Sequence, residues 1–118
     1  MAAFKYKLQI VQGETLAKTF NWKAGKPVAL PVDLTGCTAR MQIRSKVGAV
    51  AHLLELTTEN GRIVLGGAAG TVQLNLTAAE TSAINWVSGV YDLEIVYLDG
   101  RVRRLVSGAV VVSPEVTR

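Results

Sequence analysis

The sequence predicts an all-β fold, an antiparallel sandwich of about seven to nine strands with one short helix near residues 77–85. Apolar and polar residues alternate with a period of two over several stretches, the pattern of a strand with one buried and one wetted face. Turn residues separate these stretches at short intervals, which favours an antiparallel sandwich or a small barrel. A chain of 118 residues can bury the core of one domain.

The first half of the chain contains four predicted strands. They lie at residues 4–12, 15–22, 37–44 and 52–58. The third has the cleanest alternation, with Cys37, Ala39, Met41 and Ile43 on one face. In the second strand, Lys18 interrupts the apolar face, as expected for an edge strand or a lysine whose stem is buried and whose ammonium reaches water.

Proline marks the connection between the second and third predicted strands. Pro27 and Pro31 flank a short apolar segment, and neither can donate a hydrogen bond to a ladder. We therefore expect this segment at a sheet edge or at a crossing between sheets. The corner 33–36 then leads into the third strand.

The second half contains four more predicted strands, at residues 62–65, 71–76, 90–98 and 101–113. Asn60-Gly61 predicts a hairpin before the first of them, because both residues tolerate positive φ. The glycine-rich stretch 66–70 lacks the Lys-Ser/Thr pair of a phosphate-binding loop, so a plain hairpin connection is expected. A kink at Ser107-Gly108 is expected in the last strand.

A capping motif predicts the one helix. Thr77 and Glu80 have the spacing of a capping box, in which each side chain satisfies a free backbone N–H of the first turn. The helix should be about two turns long.

Composition excludes several classes of protein. With 49% hydrophobic and 19% charged residues, the chain is not of a disordered type. The net charge of +4 is spread along the sequence without a run of like charges, so nucleic-acid binding is not expected. We expect neither a signal peptide nor a membrane span. Cys37 is the sole cysteine and is expected as a small core residue without a disulfide.

No set of residues predicts catalysis, a metal site or a cofactor. His52 is the sole histidine, and the sequence contains no nucleophile motif such as G-x-S-x-G with which it would form a catalytic triad. Asp92 and Glu94 share one strand face, but solvent and cross-strand pairing with Arg40, Arg44 or Arg103 explain them better than acid catalysis. We expect most of the aromatic side chains, Tyr91 and Tyr97 included, to pack in the core rather than to form a stacking platform.

Four segments carry a resemblance to a known family. They read Q-G-E-T followed by F-N-W, then P-V-D-L-T-G-C-T-A-R-M-Q-I-R, then S-G-V-Y-D-L-E-I-V-Y-L-D-G-R-V, and finally G-A-V-V-V-S-P-E-V-T-R. In this order they resemble small virion proteins of tailed bacteriophages, in particular the Ig-like N-terminal domain of baseplate upper and tail-fibre proteins. The resemblance runs from about residue 12 to residue 118.

The resemblance implies an Ig-like sandwich that acts as a non-enzymatic assembly or docking module of the tail, baseplate or fibre attachment. Its partners would be copies of itself and other virion proteins, assembled in the bacterial cytoplasm and retained in the virion. Two alternatives stay open: a capsid-decoration or head–tail connector subunit, and an Ig-like carbohydrate-binding module. We expect contacts through an N-terminal arm (1–7), the proline segment, the loop after residue 44 and a C-terminal tail (114–118). The candidate contact residues are Phe4, Lys5, Lys7, Pro27, Pro31, Lys46, Val47, Glu115 and Arg118.

Overall fold

The structure, a computed structural model, describes residues 4–117 and confirms the all-β prediction. One short helix, α1 (Ala78–Ser82), follows the ninth strand, and a 3₁₀ turn covers Gly67–Ala69. The strands are β1 (Phe4–Lys5), β2 (Leu8–Val11), β3 (Leu16–Asn21), β4 (Lys23–Ala24), β5 (Leu30–Pro31), β6 (Thr38–Arg44), β7 (Leu54–Thr57), β8 (Ile63–Leu65), β9 (Thr71–Leu76), β10 (Ser88–Val96) and β11 (Val102–Ser113).

Two sheets form the sandwich. The large sheet has the order β7-β6-β10-β11, and β1 and β2 both pair in parallel with the outer side of β11. The small sheet has the order β3-β9-β8, with antiparallel pairs throughout. This is the strand order of an immunoglobulin-type sandwich, in which one sheet contains strands B, E and D and the other contains strands C, F and G.

The buried side chains of the core lie on the strand faces that the alternation of the sequence predicts. On β6, Ala39, Met41 and Ile43 are buried, and on the neighbouring β10 so are Leu93 and Ile95. The small sheet supplies the opposite wall of the core from β9 and β3. Its buried residues are Phe20, Val72, Leu74 and Leu76.

The first predicted strand is broken into β1 and β2. Between them, the Tyr6 N–H donates to the Ser107 carbonyl at 3.0 Å, and the Tyr6 carbonyl accepts from the buried Tyr91 hydroxyl at 2.8 Å. Burial raises the pKa of Tyr91. Gly108 lies against the same carbonyl, and a Cβ there would collide with the Tyr6 oxygen. The described part of the predicted N-terminal arm is therefore an edge strand of the sheet.

The predicted hairpin at Asn60-Gly61 is wrong. β7 pairs with β6 in the large sheet, whereas β8 pairs with β9 in the small sheet, so the turn crosses between sheets. The Asn60 side chain shapes this crossing, since its Oδ1 accepts from the N–H groups of Thr57 and Arg62 at 3.0 Å. A local turn signal cannot report which sheet each flanking strand joins.

The expected kink at Ser107-Gly108 is displaced along β11. Leu93 pairs with Val106 and Glu94 pairs with Arg104, so Leu105 is the extra residue of a β-bulge. Leu105 is buried, and its insertion reverses which side chains face outward on the rest of β11.

The proline segment links the two sheets. Pro31 pairs with Lys23 in the small hairpin β4–β5, which follows β3 of the small sheet and leads to β6 of the large sheet. The sequence-based expectation of a crossing between sheets agrees with this position. Lys18 lies on β3, an edge strand of the small sheet, as the sequence predicts, and its ammonium lies 4.5 Å from the centre of the Tyr6 ring.

The capping box of α1 is present as predicted. The Glu80 N–H donates to Thr77 Oγ1 at 3.1 Å, and the Thr77 N–H donates to Glu80 Oε1 at 2.8 Å. Arg62 adds a further bond, from Nε to Glu80 Oε2 at 2.6 Å. This carboxylate therefore joins the helix to the crossing between the sheets.

We expect Glu80→Gln, which keeps a capping-box side chain but removes the charge paired with Arg62, to lower the free energy of unfolding at pH 7 by about 0.5–1 kcal/mol. The Thr77 N–H and the Arg62 guanidinium hold the pKa of Glu80 below its usual value of 4.5. The carboxylate therefore stabilises the folded chain above that pH, and the effect is lost as the pH falls through the folded-state pKa. In urea unfolding, the difference from wild type should be larger at pH 7 than at pH 3. An equal difference at both pH values would contradict this prediction. The control is Glu59→Gln, which removes the charge of an exposed glutamate.

Candidate functional site

The candidate contact residues are not brought together in one place. Lys5, Lys46 and Val47 line one groove on the large sheet, whereas Pro27 and Pro31 lie in or beside the β4–β5 hairpin. The remaining candidates are elsewhere. Lys7 is exposed between β1 and β2, and Phe4 packs edge-on against Phe20. The Glu115 N–H donates to the Gln12 side chain. Arg118 lies outside the described residues.

The strand register builds the floor of this groove. Asp92 on β10 pairs with Gln42 on one side and with Ser107 on the other, and Ser107 pairs with Lys5 of β1. These four residues form one row across β6, β10, β11 and β1. Since Met41 and Leu93 face the core, Gln42 and Asp92 face outward. The row becomes the base of a concave site of about 550 Å³, which we call the basic groove.

The loop after β6 forms one wall of the basic groove. The Arg44 guanidinium holds it, because Nη1 donates to the carbonyls of Ala49 and Val50, both at 2.8 Å. A turn closes within the loop, where the Ala49 N–H donates to the Lys46 carbonyl at 3.1 Å. Lys46 and Val47 are thereby placed over the outer face of the sheet.

The basic groove carries an excess of positive charge. Lys5, Arg44, Lys46 and Arg104 line it, against the single carboxylate of Asp92. Asp92 is paired with Arg104, at 3.5 Å from Oδ2 to Nε. Within residues 4–117, neither lysine has a carboxylate within 4 Å; the Lys5 ammonium instead donates to Ser107 Oγ at 3.1 Å. The site therefore presents cations on both sides of a mixed polar and apolar floor.

No family model matches this chain, and no curated protein matches it.

The carboxylates considered for catalysis are held by cross-strand arginines. Arg40 Nε donates to Glu94 Oε1 at 2.9 Å, one of the pairs expected from the sequence. The partner of Asp92 is Arg104 rather than Arg103, because the bulge at Leu105 moves Arg104 to the outer face. Both pairs are solvent-exposed and stabilise the sheet only slightly.

Other features of chemical interest are dispersed in the structure. His52 is exposed in the segment before β7, and burial raises the pKa of the Cys37 thiol. Among residues 4–117, no group of three or more His, Cys, Asp or Glu side chains is arranged to hold a metal ion. Over the same range, no helix is long and apolar enough to cross a membrane.

Sequence reasoning named Lys5, Lys46 and Val47 but missed the rest of the basic groove. Alternation alone predicts that Gln42 and Arg44 face outward on β6, which is half of the information needed to locate the basic groove. The missing half is the pairing of β1 with β11, which brings Lys5 opposite the loop that follows β6. Arg104 was hidden by the bulge, since strict alternation from Val106 predicts that it faces the core.

Proposed function

We propose that this chain is a structural protein of a tailed-bacteriophage virion, a non-enzymatic assembly and docking module of the tail, baseplate or fibre attachment. The resemblance noted above supplies the class of particle. The observation that carries the assembly role is the exposure of large apolar side chains on loops at both ends of a well-packed sandwich. A contiguous exposed apolar patch marks a protein–protein contact site, and we propose that neighbouring proteins cover the apolar side chains at each end.

One end of the sandwich groups three of these apolar side chains. Val28 and Leu30 belong to the β4–β5 hairpin, and both are more than half exposed. Leu98, in the turn between β10 and β11, is 83% exposed and contacts Gly36 in the corner before β6. The hairpin and the turn therefore lie at the end where β6 begins and β10 ends.

Four more exposed apolar side chains lie on segments at the opposite end of the sandwich. Arg44 pairs with Val90, so β6 ends where β10 begins, and β11 also ends there. The loop after β6, the link before β10 and the C-terminal segment must then share this end. The exposed apolar residues on these segments are Val47, Val50, Val87 and Val116.

An assembly subunit needs a rigid body and surfaces that bind its neighbours. The packed sandwich supplies the rigid body, and the exposed apolar side chains on its loops are the proposed binding surfaces. The core is closed by two sheets, while the apolar side chains sit on loops that can contact neighbours without disturbing it. Neighbouring copies or other virion proteins could cover one end each. A carbohydrate-binding module needs an exposed cluster of aromatic side chains. That alternative function has less support, because Phe20, Trp22 and Tyr91 are buried.

Immunogold electron microscopy of virus particles from the source tests the proposed function directly. An antibody against this chain should label intact particles, and label at the tail tip or fibre base would agree with the proposal. Label at the collar or over the capsid would favour the connector or decoration alternative. Particles that stay unlabelled, with the protein remaining in the soluble fraction, would contradict a virion role.

Substitutions at the two ends test the surface that carries the proposal. We expect Leu98→Asp or Val50→Asp to leave folding intact and to lower incorporation into particles about tenfold, the effect of losing one apolar anchor. Val64→Asp, on the half-exposed edge strand β8, is the matched control and should be incorporated normally. Equal incorporation of all three variants would exclude these ends as assembly contacts.

A further inference from the structure

We propose that the basic groove binds an acidic peptide segment of a neighbouring protein. The inference deepens the proposed function and rests on it, because it names the chemistry of one assembly partner. The groove consists of the floor residues Gln42, Val90, Asp92 and Ser107 with the cations Lys5, Arg44, Lys46 and Arg104 around them.

The side chains that line the basic groove are predominantly cationic. Four cations surround one carboxylate, and that carboxylate is already paired with Arg104. Lys5 and Lys46 are exposed and line opposite sides of the basic groove, Lys5 on β1 and Lys46 in the loop after β6. Two ammonium groups facing a common space attract a ligand with carboxylates along its length, and this attraction is strongest at low ionic strength.

The wall that carries Lys46 is held before any ligand arrives. Arg44 bonds two carbonyls of the loop at 2.8 Å, so the loop does not have to be ordered on binding. Preorganisation of this kind lowers the entropy cost of association. The volume of about 550 Å³ lies within the range of sites that bind small ligands or short peptide segments.

The floor favours a peptide over the other polyanions. The Ser107 hydroxyl accepts from Lys5 and can still donate its own proton, and Val90 and Val47 offer apolar contacts, a mixture that suits peptide bonds and side chains. Single-stranded nucleic acid is bound by stacking on aromatic rings, but Tyr91 contributes none here because its ring is buried and its hydroxyl bonds Tyr6.

The test measures binding of a fluorescein-labelled peptide of four Glu-Ala repeats to the intact chain by fluorescence anisotropy. We expect saturable binding at 20 mM NaCl that weakens at least tenfold at 300 mM NaCl. The double variant Lys5→Glu/Lys46→Glu should bind at least tenfold more weakly than wild type. Lys23→Glu/Lys26→Glu makes the same change in net charge in and beside the exposed β4 strand and should stay within twofold of wild type.

Each other outcome overturns the proposal. Equal weakening in both double variants would show attraction to net charge alone, and an absence of saturable binding would exclude the site. Tighter, groove-dependent binding of a heparin fragment or of single-stranded DNA would assign the groove to another polyanion. If Lys5→Glu disturbs the fold, the single variants Lys46→Glu and Lys23→Glu repeat the comparison. None of these results alters the labelling of particles, so failure here is distinguishable from failure of the proposed function.

Discussion

Leu93→Ala is expected to lower the free energy of unfolding by about 2–5 kcal/mol, the range for removing a fully buried leucine. Leu93 is 0% exposed and lies on β10, an interior strand of the large sheet with β6 on one side and β11 on the other. Its backbone is paired with Met41 on β6 and Val106 on β11, which are also buried. Because two flanking strands hold the backbone, the structure cannot collapse into the space, and the cavity remains.

Urea unfolding followed by tryptophan fluorescence or circular dichroism measures this effect. Leu98→Ala is the matched control, since it removes the same atoms from a side chain that is 83% exposed. We expect the control to stay within about 0.5 kcal/mol of wild type. Similar losses for both variants would show that Leu93 is not at the centre of the core.

Gly70→Ala is expected to cost about 2–5 kcal/mol, from two separate causes. Gly70 has φ of +70°, a conformation that costs about 1–2 kcal/mol for a residue with a Cβ. The added Cβ would also lie 2.6 Å from the Trp22 carbonyl oxygen and 2.9 Å from the Val32 nitrogen. Overpacking of this kind costs about 1–3 kcal/mol. The backbone atoms cannot move aside easily, because Val32 and Trp22 are hydrogen-bonded to each other at 3.0 Å.

Gly61→Ala separates the two causes. Gly61 has φ of +80°, yet a Cβ there would meet nothing within 4 Å. We expect this variant to lose about 1–2 kcal/mol, the cost of the dihedral angle alone. If Gly70→Ala were no more destabilising than Gly61→Ala in thermal or urea unfolding, the close approach of the strands at Gly70 would be refuted.

The sequence by itself determined the class of fold and, for most of the strands, their place in the chain and their buried faces. Alternation from Cys37 to Ile43 and from Tyr91 to Ile95 assigns inward and outward side chains correctly, because the period of a strand depends on local backbone geometry alone. The capping box at Thr77 and Glu80 was readable for the same reason, since both partners lie within one turn of helix.

Tertiary structure alone decided which strands are neighbours, and with that the basic groove. The turn at Asn60-Gly61 has a hairpin signal, yet it leads from one sheet to the other, because burial of both flanking strands against the core outweighs their mutual pairing. The bulge at Leu105 turned Arg104 toward Asp92, and the pairing of β1 with β11 set Lys5 opposite the loop that contains Lys46. These contacts join residues far apart in the chain, and their energies depend on partners that no local pattern specifies.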